Sequence, residues 1–81
     1  MLVVGDDKAF RKQLCTLFEN ASGSEACLEA KGSAEALRKI KRLLPGLIVL
    51  KYSLPDMSGL EFAQKLKAFA PELLIFMLTK G

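Results

Sequence analysis

Four polar positions follow apolar runs in this chain. Asp6 and Asp7 come after Leu2-Val3-Val4-Gly5, Lys51 after Leu47-Ile48-Val49-Leu50, and Thr79 after Leu73-Leu74-Ile75-Phe76-Met77-Leu78. Continuous apolar runs bounded by turn residues suit strands buried on both faces. If the strands run parallel, their ends share one edge, where open α/β sheets place ligands. Together these residues form an acid–hydroxyl–amine cluster at the edge where chemistry is expected. Asp56, in the turn after Lys51, is the other acid nearby. Its place in Leu54-Pro55-Asp56-Met57-Ser58-Gly59 is that of a turn residue used for backbone hydrogen bonding.

The elements that must position this cluster alternate along the chain. After the first strand, Asp7 caps a helix running to about Asn20, with Phe10, Leu14, Leu17 and Phe18 on one face. Asn20 to Ser24 is a loop by composition. Glu25 to Ala30 alternates as an edge strand would. Ser33 then serves as N-cap of a helix to about Leu44 with Ala36, Leu37, Ile40, Leu43 and Leu44 inward, ended by Pro45-Gly46. The strand from Leu47 to Leu50 follows. Ser58 and Glu61 are spaced as a capping box for a helix that turns Phe62, Leu66 and Phe69 inward and stops at Pro71. The order β-α-β-α-β-α-β calls for parallel pairing through right-handed crossovers.

Composition narrows the function classes. The chain has 81 residues, of which 51% are hydrophobic and 26% charged, so it makes one small globular domain, residues 1–81. The net charge is +3, densest at Arg38-Lys39-Ile40-Lys41-Arg42. No aromatic residue interleaves that cluster to stack on bases, so it reads as the solvated face of a helix and not as a nucleic-acid surface. Cys15 and Cys27, with no histidine in the chain, make no zinc set. A small domain can join two cysteines. Nothing suggests secretion, however, since acids follow the first apolar run too early for a signal peptide, and the expectation is two reduced thiols in a cytoplasmic chain. No run is long enough to span a membrane.

Val3 to Arg11, Leu47 to Gly59, and Leu78-Thr79 resemble the receiver domain of two-component response regulators. The most specific match is Leu54-Pro55-Asp56-Met57-Ser58-Gly59-Leu60-Glu61-Phe62, and Glu29 to Leu37 falls in step as well. The resemblance implies a flavodoxin-like α/β fold of strand order 2-1-3-4-5. It implies a phospho-acceptor aspartate ending the third strand, supplied by a histidine kinase, and two acids after the first strand that hold Mg²⁺. It also implies a Thr or Ser ending the fourth strand and a lysine ending the fifth, both contacting the phosphoryl group.

Carried over by position, the resemblance puts Lys51 at the phospho-acceptor, Gly5 and Asp6 at the acidic pair with Asp7 adjacent, and Thr79 at the hydroxyl, followed by Lys80. The fifth strand and the last two helices are absent from this sequence. An ammonium cannot act as the carboxylate nucleophile, and a cation in place of a carboxylate removes a Mg²⁺ ligand and repels the metal. The expected fold is therefore an open parallel sheet of four strands, order 2-1-3-4, with helices on both faces, a truncated receiver. The expected function is a degenerate receiver without catalysis or cofactor, acting by protein contacts with a signalling protein or with itself. Lys51 is expected to pair with Asp6. The fourth strand is expected to be an exposed apolar edge that supports a homodimer. The alternative is a fragment of a conventional, phosphorylation-dependent receiver controlling an output such as DNA-binding transcription.

Overall fold

In the computed structural model, described for residues 1–22, 27–43 and 45–78, four strands and three helices alternate. They are β1 (Leu2–Val4), α1 (Lys8–Ser22), β2 (Leu28–Ala30), α2 (Ser33–Leu43), β3 (Leu47–Lys51), α3 (Gly59–Phe69) and β4 (Leu74–Leu78). The strands form one parallel sheet of order β2-β1-β3-β4. Val4 stands beside Ala30 on one side and Leu50 on the other, and Lys51 stands beside Leu78. The strand ends thus share one edge, as the alternation of elements required.

Successive strand residues face opposite sides of the sheet. Leu2, Val4, Ile48 and Leu50 point to one side. There they make the main core with Ala36 and Ile40 of α2 and Phe62 and Leu66 of α3. Val3 and Val49 are buried on the other side, where α1 lies over β1 and β2. Burial of such side chains, at about 25 cal/mol per Å², is what holds so small a sheet together.

The cover is narrower than the helical periodicity suggested. Leu17 of α1 is 66% exposed, and Leu43 of α2 and Phe69 of α3 are also exposed rather than inward. The fourth strand is not buried on both faces. Ile75 and Met77 pack against the main core, while Leu74 (65% exposed), Phe76 (63%) and Leu78 face outward. The reason is placement: α3 covers one side of β4, and α1 sits over the opposite end of the sheet. α1 also continues to Ser22 through residues whose composition suggested a loop, and β2 is confined to Leu28–Ala30. Leu44 and residues 79–81, including Thr79 and Lys80, lie outside the described residues, as do residues 23–26.

The cysteines correct the expectation of free thiols. Cys15 of α1 and Cys27, just before β2, are joined as a disulfide. The physical reason is proximity: a helix laid over an edge strand brings two positions 12 apart in sequence to a Cα–Cα distance of 5.3 Å.

Candidate functional site

The site is built at the carboxyl edge around the end of β3. Lys51 is half-buried and follows the parity of Val49, so it emerges on the α1 side. Its stem runs over Gly5. A Cβ placed on Gly5 would lie 3.4 Å from Lys51 Cδ, 3.5 Å from its Cγ and 3.5 Å from Phe10 Cδ2. Its Nζ stands 4.7 Å from the centroid of the Phe10 ring. The expected ion pair with Asp6 is not formed, since among the described residues the ion pairs are Arg11–Glu29 and Glu35–Lys39. An ammonium over an aromatic face gains electrostatic attraction while staying partly hydrated, which removes the need for a carboxylate partner.

The two acids after β1 are placed differently. Asp7 caps α1: its Oδ1 accepts from the N–H of Ala9 at 3.0 Å and of Phe10 at 3.4 Å, and its carbonyl accepts from Arg11 N–H. Asp6 is exposed. The Gly5 carbonyl between strand and acids is taken by Arg11, whose Nη1 donates to it at 2.5 Å. Arg11 is itself buried, and its Nε donates to Glu29 Oε1 at 3.0 Å, tying α1 to β2. Sequence reasoning assigned no role to Arg11. A charged residue one position after the apolar Phe10 is the signal that could have suggested one.

Asp56 does more than shape its own turn. From the β3–α3 loop it reaches the start of α2, where Ser33 Oγ donates to Oδ2 at 2.7 Å, Ser33 N–H to Oδ1 at 3.0 Å and Ala34 N–H to Oδ2 at 3.2 Å. The cap of α2 is therefore borrowed from another loop. Ser33, expected to be the N-cap, is the first residue of the helix and donates to the real one. The hydroxyl of Ser33 and then its N–H, with Ala34 N–H behind them, hold the Asp56 carboxyl down at about 2. Ser58 caps α3 as expected, accepting from Glu61 N–H at 3.1 Å. The return bond from Glu61 is not among the hydrogen bonds of the described residues.

The loop closes on Gly59. Its N–H donates to Tyr52 O at 2.5 Å, and a Cβ there would fall 2.2 Å from Lys51 O. Nothing larger than hydrogen fits, so this glycine is required by close approach of the backbone.

Among the described residues no three His, Cys, Asp or Glu groups gather to hold a metal, Asp7 is committed to its helix, and an ammonium lies at the end of β3. The basic cluster on α2 is also partly committed. Lys39 donates to Glu29 O and pairs with Glu35, and Lys41 lies over the Phe69 ring.

The family model of the response regulator receiver domain matches residues 1–81. This chain belongs to that family. As a receiver domain it is part of two-component signalling. It is 37% identical over 81 residues, 98% of the chain, to the phosphate regulon transcriptional regulatory protein PhoB of Pseudomonas aeruginosa, of which it covers 34%. A protein-glutamate methylesterase/protein-glutamine glutaminase of Paramagnetospirillum magneticum is 30% identical over 66 residues, 82% of the chain and 19% of that protein. The chain spans about a third or less of these relatives. Among solved structures, the beryllofluoride-activated NtrC4 receiver domain dimer superposes with a TM-score of 0.85 at 30% identity, over 94% of this chain and 61% of that one. The four-stranded 2-1-3-4 sheet is thus the receiver's flavodoxin-like fold. No helix among the described residues is long and apolar enough to cross a membrane.

Proposed function

We propose that this domain is a pseudo-receiver: it keeps the receiver frame, accepts no phosphoryl group, takes no Mg²⁺ and acts in the cytoplasm by binding protein, not by catalysis. One observation carries this. The two family positions that differ most, Gly5 and Lys51, touch each other, with the Lys51 stem lying over Gly5 and its ammonium over Phe10. A Cβ at position 5 would meet the Lys51 stem and the Phe10 ring at ordinary van der Waals distance, so the two positions are direct neighbours. The two departures fit together as one rearranged site.

The partner is a signalling protein or a second copy. The bare apolar side of β4 and its unpaired edge support self-association. The fold's likeness to a receiver described as a dimer agrees with this. The match to PhoB, a transcriptional regulator, over nearly the whole chain favours one second reading, a conventional receiver within a longer regulator. That reading needs another acceptor, and Asp56 and Asp7 are both engaged as helix caps. The deciding measurement is intact mass after incubation with acetyl phosphate and Mg²⁺. The mass stays unchanged for a pseudo-receiver, whereas stoichiometric phosphoryl addition overturns the proposal.

A further inference from the structure

Both sulfurs of the Cys15–Cys27 pair lie where neither the sheet edge at Lys51 nor the β4 face involves them. Cys15 is buried on the inner face of α1, Cys27 is half-buried at the entry to β2, and both sulfurs rest near the Leu28 carbonyl oxygen, at 3.9 and 3.8 Å. β2 is only three residues long and is an edge strand. Among the described residues the disulfide, the Arg11–Glu29 pair and the bond from Cys27 N–H to Glu19 Oε2 tie this strand and its entry to α1. One of those ties is covalent and can be opened by chemistry.

We infer that Cys15 and Cys27 form a reversible dithiol–disulfide site whose co-reactant is a low-molecular-weight thiol and its disulfide, and that its state sets how firmly β2 is held to α1. The asymmetry of the site gives the direction of attack. A small thiolate reaches the half-buried Cys27 Sγ and forms a mixed disulfide there, and Cys15 Sγ leaves as a thiolate and takes a proton. A second small thiolate attacks the added sulfur, releasing Cys27 as a thiol and the small-molecule disulfide. Two small thiols are oxidised and one protein disulfide is reduced; oxidation by the small disulfide is the reverse. In a cytoplasmic protein such a bond is expected to be transient or redox-sensing rather than permanent.

The test equilibrates the 81-residue chain in buffers of graded reduced-to-oxidised glutathione ratio and traps free thiols with an alkylating agent for mass counting. Thermal unfolding and amide exchange are followed in parallel. The expected result is a half-oxidised point inside the range of ratios used. Reduction should lower Tm by about 10–20 °C for a loop of this size and accelerate exchange at Leu28 to Ala30. The Cys15→Ala/Cys27→Ala double variant should match the reduced protein and ignore glutathione. A pair that stays oxidised at every ratio, stays reduced at every ratio, or changes state without changing Tm or exchange overturns the proposal. If the double variant does not fold, the wild-type titration still decides. Phosphoryl mass plays no part in this readout, so its outcome is separate from that of the acetyl phosphate test.

Discussion

The two edges of the sheet are managed in opposite ways. At the β2 edge the strand is three residues long, carries Glu29 and is fastened through the Arg11 ion pair, the Lys39 bond to Glu29 O and the disulfide to Cys15. At the β4 edge the strand is five residues long, carries no charge and turns Leu74, Phe76 and Leu78 outward. Short, charged, tethered edges resist pairing with other chains, and long apolar ones invite it. The fastened side has become a closed part of the structure, and the bare side is where another strand can be added.

Three substitutions break or sharpen that contrast. The largest expected loss is at the fastened edge. Arg11→Ala removes a buried guanidinium and leaves both Glu29 and the Gly5 carbonyl without their partner, at about 2–3 kcal/mol by urea unfolding. A loss below about 0.5 kcal/mol would show that the pair does not hold α1 to β2.

Next is Asp56, which caps the helix lying over β2 and β1. Asp56→Ala should cost about 1 kcal/mol, as helix caps do. The carboxyl is held at about 2 against an ordinary 3.8. Because the folded value is the lower one, its contribution is complete above pH 3.8 and fades as pH falls toward 2. Wild type and Asp56→Ala should therefore converge in stability across that window, and an unchanging gap would assign the loss to packing instead.

The smallest change in stability is expected at the bare edge. Phe76→Lys replaces an exposed ring and should alter unfolding by no more than about 0.5 kcal/mol. It should nonetheless convert self-associated protein to monomer by light scattering. A wild type that is monomeric at high concentration would refute self-association through β4.

Much of this was legible because it depends on local pattern. Alternating strand and helix signals led to the parallel sheet, and the resemblance to receiver domains supplied its order. Asp7 and Ser58 read correctly as caps because a cap acts on amides two or three residues away. What was not legible depends on distances across the fold. Leu17, Leu43 and Phe69 fall on apolar helical faces, but how wide a face is covered depends on what lies opposite. The six apolar residues before Thr79 read as a strand buried on both faces, yet among the described residues no helix lies above one of those faces. Asp56 caps a helix that begins 23 residues earlier, and Cys15 meets Cys27 only once α1 is laid over β2. Lys51 stands at the edge where the strand pattern puts it, but charge alone points to Asp6 as its partner. The nearby ring of Phe10, with Gly5 beside it, leaves the lysine another place to lie.

Gly59 carries a consequence for how this sequence can drift. The side-chain tip at the end of β3 points away from the main core and can change character without disturbing it. At the far end of the loop that follows, every replacement of Gly59 drives a carbon into the Lys51 carbonyl. Mutational tolerance is therefore low at a residue with no functional group. The frame of a receiver can outlast its chemistry, because the frame is enforced by backbone contact and the chemistry by a replaceable side chain.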